Sequence, residues 1–283
     1  MGRVLNANMQ LDSPEFCITH ADFKYIQKFM HSQVGIFIAD CKQAMVYGRL
    51  SRKMRELDVF NFNEYQQLIE TDPKIKMEFI NALTTNKTHF FREYHHFEYL
   101  EQQLVPQWIK RRQQEVAIWS AGCSTGEEPY SIAASLNKCG AFEHIENINL
   151  LATDLDTNVL AQAKQGVYDI ASLESIPANY LKSNFLKGKN GHVNQIKAKP
   201  CLCEHINFKQ LNLLDKWPFD KQFDLISCRN VMIYFTRETQ QQLIEHFCDH
   251  LKDHGTLFIG HSESVPSHCQ RLKHLGKTIY IKV

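Results

Sequence analysis

The sequence predicts an α/β fold with a mostly parallel sheet, preceded by a small all-helical region. Three observations carry this. From about Tyr94 onward, apolar runs alternate with helical stretches, the pattern of strands joined by crossover helices. A turn of small residues, Ala121-Gly122-Cys123-Ser124-Thr125-Gly126, joins the first run to a helical stretch. Before about residue 85, apolar residues recur at steps of three and four, and strand-formers are few.

The expected helices cover residues 22–31, 42–57, 63–70 and 73–83. Thr71-Asp72-Pro73 reads as a helix start, because Pro tolerates the first turn, where its missing N–H costs nothing. A helix over 94–112 then leads into apolar runs at 116–119, 148–151, 206–211, 223–228 and 256–259, with a final strand over 277–283. The last two lack an intervening helix and are expected to end the sheet as an antiparallel hairpin. Between 180 and 205, Gly188-Lys189-Asn190-Gly191 is a turn between short segments at 185–187 and 192–198. This predicts a small β-excursion, either a recognition element or a tolerated surface hairpin.

Composition bounds the function. With 283 residues, 43% hydrophobic and 22% charged, the chain has ample core for one large domain or two smaller ones. A net charge of +1 gives no global field toward nucleic acid or membrane, and neither partner is expected. No apolar run reaches membrane-span length and no leader pattern opens the chain, so a cytoplasmic protein is expected. Nine cysteines, an odd and scattered set, read as mostly buried small apolar residues. The tightest group, Cys201-Leu202-Cys203-Glu204-His205, alternates as on a strand and has no second ligand pair. His95-His96, and His246, His250 and His254 at helical spacing, read as surface or satisfied histidines. No metal is expected.

The chemistry concentrates in the first apolar run and the turn and helix after it. A strand, a small-residue turn, a helix and a second strand ending in Asp154 form the unit that presents a nucleoside cofactor. Gly122 lets the backbone approach a ligand, and Asp154 accepts ribose hydroxyls. A dinucleotide pyrophosphate would meet Glu127 and Glu128 at the helix start and be repelled. Those acids suit a cofactor with a cationic amino group or sulfonium, such as S-adenosylmethionine. They also complement a helix macrodipole without any ligand.

Residues 41–55 hold Lys42, Arg49, Arg52, Lys53 and Arg55 and no acid. On a helix, Val46, Leu50, Met54 and Leu57 share one side, and Arg49, Arg52 and Lys53 another. Such a face meets an acidic partner or simply faces solvent.

Several strings together resemble the chemotaxis-receptor methyltransferases, the CheR family. They are Asn86-Lys87-Thr88-His89-Phe90-Phe91-Arg92, Ser120 to Ser131, Ala152-Thr153-Asp154-Leu155-Asp156, Asn212-Leu213, Cys228 to Phe235 and Gly260-His261-Ser262-Glu263. The resemblance spans nearly the whole chain and includes Tyr47-x-Arg49-Leu50 on the basic helix. It implies a Rossmann-like class I methyltransferase domain (86–283) with an inserted small β-subdomain (about 180–205). A small all-α N-terminal domain (1–85), bearing the basic helix at about 42–57, would precede it. It implies methyl transfer from S-adenosylmethionine to glutamate side chains on the cytoplasmic helices of chemoreceptors, leaving S-adenosylhomocysteine. Positions matching Asn86, Thr88, Arg92, Glu128 (or Glu127), Asp154, Asn212, Leu213, Arg229 and Asn230 line the cofactor site in the family. Arg92 and Tyr234 match residues beside the transferred methyl group. Arg49, Arg52, Lys53 and Arg55 would dock the receptor. The hairpin Leu186 to His192 is shorter than in members that hold a receptor's C-terminal pentapeptide, so recognition of receptor helices without that tether is expected.

A carboxylate acceptor has an ordinary pKa near 4.3 and needs no general base at neutral pH. Arg92 paired with it would orient the anion while stabilising its ground state, so Arg92 reads as a positioning group. A methyltransferase for nucleic acid or amines, or a non-catalytic module that binds the cofactor, are the alternative readings. The Arg229-Asn230-Val231-Met232-Ile233-Tyr234 string speaks against the first and intact Arg92 and Tyr234 against the second.

Overall fold

The computed structural model describes residues 18–283. The first residues, where a leader pattern would stand, lie outside them. Two compact units form: one from residue 38 to 83 together with the stretch before residue 32, the other from 32–37 and 84–283.

The first unit is helical. Helix α1 (His20–Val34) starts with a reciprocal cap, in which Thr19 N–H donates to Asp22 Oδ2 at 2.8 Å and Asp22 N–H to Thr19 Oγ1 at 3.2 Å. Helix α2 (Gln43–Glu56) buries Val46, Leu50 and Met54, the apolar side expected from spacing. Helices α3 (Phe62–Thr71) and α4 (Pro73–Leu83) follow. Asp72 caps α4 by accepting the Lys74 N–H at 2.8 Å, with Pro73 as its first residue. Phe23, Ile26, Met30, Tyr65 and Phe79 are fully buried here, each worth ~1.5–3 kcal/mol on leaving water.

The second unit is α/β. Between residues 94 and 112 the expected helix divides into α5 (His95–Tyr99), one wider π turn (Leu100–Leu104) and α6 (Val105–Lys110). The widening precedes Pro106, which has no N–H to give to an α turn. Then come β1 (Glu115–Ala121), α7 (Glu127–Lys138), α8 (Ala141–His144), β2 (Asn147–Asp154) and α9 (Thr157–Gln165). A small sheet comes next, built from β3 (Val167–Asp169), β4 (Phe185–Lys187) and β5 (Gln195–Ala198), with α10 (Ala178–Asn184) between β3 and β4. After α11 (Pro200–Cys203) the chain returns through β6 (Ile206–Gln210), β7 (Phe223–Cys228), α12 (Arg237–His250), β8 (Leu251–Ile259), β9 (Leu272–Gly276) and β10 (Ile279–Lys282).

The main sheet has seven strands in the order β6-β2-β1-β7-β8-β10-β9. All pairs are parallel except β10 with β8 and with β9. β1 is buried on both faces. Ile118 joins the core that contains Leu150, Tyr130 and Leu225, while Trp119 joins the opposite one with Leu151, Phe223 and Phe247.

Three expectations need correcting. The end of the sheet is more than a hairpin of the last two runs, because β9 intervenes, pairs with β10 and forms the edge. Cys201 to Cys203 lies in the short helix α11, not on a strand, since Pro200 opens a helical turn. Helix α12 stops at His250, so His254 stands in β8 and does not continue the spacing of His246 and His250. Among the described residues the cysteines are free thiols, and Cys123, Cys228, Cys248 and Cys269 are buried. No helix of the described residues is long and apolar enough to cross a membrane.

Candidate active site at the switch point of the sheet

The strand order reverses at β1, which has β2 on one side and β7 on the other. In open α/β sheets that reversal leaves a crevice beyond the carboxyl ends of the strands. The candidate residues fall into three sets around it.

The turn after β1 supplies the first set. Gly122 has φ +86°, and a Cβ there would stand 2.3 Å from Val231 Cγ2, so only glycine fits this approach between the β1 and β7 loops. Its N–H donates to Thr153 O at 2.8 Å, tying the turn to β2. Glu127 and Glu128 open α7. Thr125 Oγ1 donates to Glu127 Oε2 at 2.6 Å, and Ser120 Oγ donates to Glu128 Oε1 at 2.7 Å. Burial pushes the Glu127 carboxyl above its ordinary range, against the hydrogen bond from Thr125. The two acids therefore differ: Glu127 belongs to its own turn, whereas Glu128 reaches across to the residue after β7.

The second set lies at the end of β2. Asp154 accepts the Ser124 N–H on Oδ2 at 2.8 Å and the Asp156 N–H on Oδ1 at 3.0 Å. Burial raises its pKa, opposed by these backbone bonds. A carboxylate has about four acceptor sites, so Asp154 keeps capacity for a further donor such as a hydroxyl. Asn86 Nδ2 donates to Asp156 Oδ2 at 2.7 Å, and Asn86 O accepts Ser124 Oγ–H at 2.8 Å. That places Asn86 at the β1 and β2 ends; Thr88, two residues on, is half-buried. Asn212 and buried Leu213 come after β6; Asn212 Nδ2 donates to Gln33 O at 3.1 Å.

The third set comes after β7. Arg229 is buried, its side chain 3% exposed, and Nη1 lies 3.0 Å from Glu128 Oε2. Nη2 donates to the carbonyl of Arg92 and lies 3.6 Å from Glu93 Oε2. Arg229 thus joins the α7 start to the Arg92 segment. Arg92 Nη1 donates to Lys87 O at 3.2 Å. Asn230 is in the left-handed region at φ +59°, and Tyr234 ends a single helical turn, Met232–Tyr234. The Tyr234 carbonyl accepts the Phe37 N–H at 2.8 Å.

Sequence reasoning missed Glu93, Asp156, His261 and Glu263 as site residues. Glu93 adjoins Arg92 and Glu263 ends one of the family-like strings, but nothing in either marks a hydrogen-bonding role. Burial pushes the Glu93 carboxyl up, yet the hydrogen bond from His261 and the Arg229 guanidinium outweigh it and bring it down to about 2. Burial, with the Arg229 charge, takes His96 down to about 3, leaving a neutral ring. Glu93, His95 and His96 bring one donor atom each within 4.8 Å of one another, with the Arg229 guanidinium already against Glu93. His95 Nε2 lies 2.9 Å from Lys277 O, and His96 Nε2 lies 3.2 Å from Thr278 Oγ1.

The four docking candidates lie on α2 of the first unit. Arg49 Nη1 donates to Ala82 O at 3.3 Å. Lys53 Nζ pairs with Glu56 at 2.6 Å, and Arg52 Nε lies 3.9 Å from Glu56. Arg52 and Arg55 are exposed.

A doubly covered, mostly parallel sheet with carboxylates at its switch point and a glycine turn beside them is the layout of a Rossmann-like enzyme that binds a nucleoside cofactor. The chain matches two descriptions in turn, "CheR methyltransferase, all-alpha domain" over residues 21–84 and "CheR methyltransferase, SAM binding domain" over 86–281. It is 40% identical to Chemotaxis protein methyltransferase 2 of Pseudomonas aeruginosa, over 94% of each chain. It is also 40% identical to the Chemotaxis protein methyltransferase of Escherichia coli, over 93% of this chain and 91% of that one. The chain belongs to the CheR methyltransferase family and is an S-adenosylmethionine-dependent enzyme of chemotaxis.

Proposed function

We propose that the chain esterifies glutamate side chains on the cytoplasmic helices of chemoreceptors, working in the cytoplasm. The observation that carries this reading is the Glu128–Arg229 bridge across the switch point, 3.0 Å long and almost wholly buried. We read this carboxylate, oriented by Arg229, as the partner of the cofactor's cationic amino group, a place where a phosphate would be disfavoured. The donor set fits the cofactor: Asp154 keeps acceptor capacity for ribose hydroxyls, and the glycine turn at Gly122 brings the backbone close. Asn86, Thr88, Arg92, Gly122, Glu128, Asp154, Asn212, Leu213, Arg229 and Asn230 would hold it. Glu127 is the weaker candidate, being turned to Thr125. When bound, S-adenosylmethionine supplies an electrophilic methyl on a cationic sulfur.

The rest is the work of this chain's residues. The acceptor carboxylate arrives ionised, so none of them need take a proton. Arg92 and Tyr234 orient it, and burial of the surrounding loops excludes water that would otherwise favour the separated charges. On α2, Arg52 and Arg55 carry most of the docking, with Lys53 released from Glu56 to join them and Arg49 holding the helix to the end of α4. The β4–β5 hairpin, with only residues 188–194 between its strands, is too short to tether a receptor tail, and receptor helices are recognised directly.

The test is incubation with methyl-labelled cofactor and receptor-bearing membranes. Base-labile label on receptor bands, at a rate nearly flat from about pH 6 to 8, is expected for an acceptor with a pKa near 4.3. Label stable to base, or a rate climbing steeply with pH, would point to an amine acceptor and overturn the reading.

A further inference from the structure

The turn after β8, Gly260-His261-Ser262-Glu263, takes no part in the chemistry above. Its side chains reach two separate loops. His261 donates twice to Glu93 Oε1, from its N–H at 3.1 Å and from Nδ1 at 2.7 Å. Because Glu93 is ionised, it is the acceptor and Nδ1 carries the proton. Glu93 is bonded directly to Arg92, and the residues on either side of Arg92, Phe91 and Glu93, have φ of 52° and 56°. Non-glycine residues hold that region only where the surroundings compel it. Here Ser131 Oγ accepts the Phe91 N–H at 3.0 Å, and His261 with Arg229 clamps Glu93.

Glu263 serves the other loop. Its Oε2 accepts the N–H groups of Gly260 at 2.5 Å and Asn230 at 3.0 Å, and its Oε1 those of Val231 at 2.9 Å and Ile233 at 3.3 Å. These four donors fill a carboxylate's acceptor sites, so Glu263 has none left for a ligand. Its task is to shape the backbone from Asn230 to Tyr234. The fit is close: a Cβ on Gly260 would stand 2.8 Å from Asn230 N.

We propose that this turn is a positioning hub that fixes Arg92 and Tyr234 in one register, His261 acting through Glu93 and Glu263 through the Asn230–Tyr234 backbone. The proposal rests on the reading of Arg92 and Tyr234 as the groups that orient the acceptor.

The test is a set of double-mutant cycles on single-turnover methyl transfer to receptor membranes, with S-adenosylhomocysteine affinity measured by calorimetry alongside. His261→Ala should lower the rate about tenfold, the worth of a hydrogen bond to a charged group, and weaken that affinity by a smaller factor, since Arg92 is one of several residues that would hold the cofactor. His261→Asn, whose Nδ2–H replaces the ring donor, should restore most of the rate. Glu263→Gln should cost about tenfold or more. In a Tyr234→Phe background the Glu263→Gln loss should shrink below about threefold, and in an Arg92→Lys background so should that of His261→Ala. Losses that carry over in full to both backgrounds would sink the hub while leaving the site reading intact. Arg92→Lys and Tyr234→Phe variants that transfer methyl at the parent rate would instead overturn the reading, and the hub with it. Should Glu263→Gln fail to fold, the His261 pair decides alone, since that side chain is 66% exposed.

Discussion

Two regions of this chain are dense in charge, and they use it in opposite ways. On α2, Arg52 and Lys53 stand in or near solvent and pair with Glu56 one turn away. At the switch point Arg229 is buried and its partners, Glu93 and Glu128, come from segments far apart in sequence. Exposed pairs contribute about 0–1 kcal/mol and fade with salt, whereas stripping one partner from a buried pair costs about 3–5 kcal/mol. An exposed pair on the helix can be exchanged for another partner at small cost. Charge in the crevice is committed to holding loops together.

The contrast predicts a graded set of outcomes. Replacing Arg229 by Met leaves Glu93 and Glu128 without the cation between them; stability should fall by about 3–5 kcal/mol in urea unfolding, and methyl transfer should be lost. A loss no larger than that of a surface change would put Arg229 in the same class as the α2 cations. Gly122→Ala should cost about 1–3 kcal/mol, because its methyl meets Val231 and its φ suits glycine. Cofactor titration of that variant should show weakened binding.

Acid separates the regions further. The Glu93 pKa is lowered in the folded chain to about 2, from 4.5. Its contribution is therefore present above pH 4.5 and disappears as pH falls toward 2. A Glu93→Gln variant should lose less melting temperature over that window than the parent; identical slopes would mean the clamp carries no linkage. The smallest effect on stability is expected from Arg52→Glu with Lys53→Glu. Melting and cofactor affinity should stay near those of the parent, while receptor methylation falls and its salt dependence flattens, exposed charges being screened over about 10 Å at 0.1 M. Equal loss of cofactor affinity would count against docking by α2.

Periodicity records only what neighbouring residues share, and that sets how much of the fold was legible. The α2 burial pattern, the Asp72-Pro73 helix start and the parallel strands showed because each is written in adjacent positions. The β9 edge did not, since Leu272 to Gly276 is short and mostly exposed, with no clean alternation. The π turn before Pro106 and the helical turn at Pro200 are local responses to proline, not periods. In the candidate site, Glu127 and Glu128 at the start of α7, Asp154 at the end of β2 and Arg229 after β7 were visible from their places in the pattern, while the choice of Glu128 came only from the resemblance. Glu93, His261 and Glu263 were not, because the bonds that join one loop to another span 30 or more residues of chain. Whether a carboxylate meets a cofactor or a backbone amide is decided by packing that no local pattern encodes.

Residues 32–37 fold with 84–283 although they precede the rest of the helical unit. Gln33 O holds the Asn212 amide, and the Phe37 N–H holds the Tyr234 carbonyl. A gene fusion that transplants the catalytic half between relatives by splicing at residue 84 would therefore leave this short strap behind with the donor. Chimeras that graft 32–37 as well should keep the parental turnover, and those that omit it should recover turnover when the hexapeptide is restored.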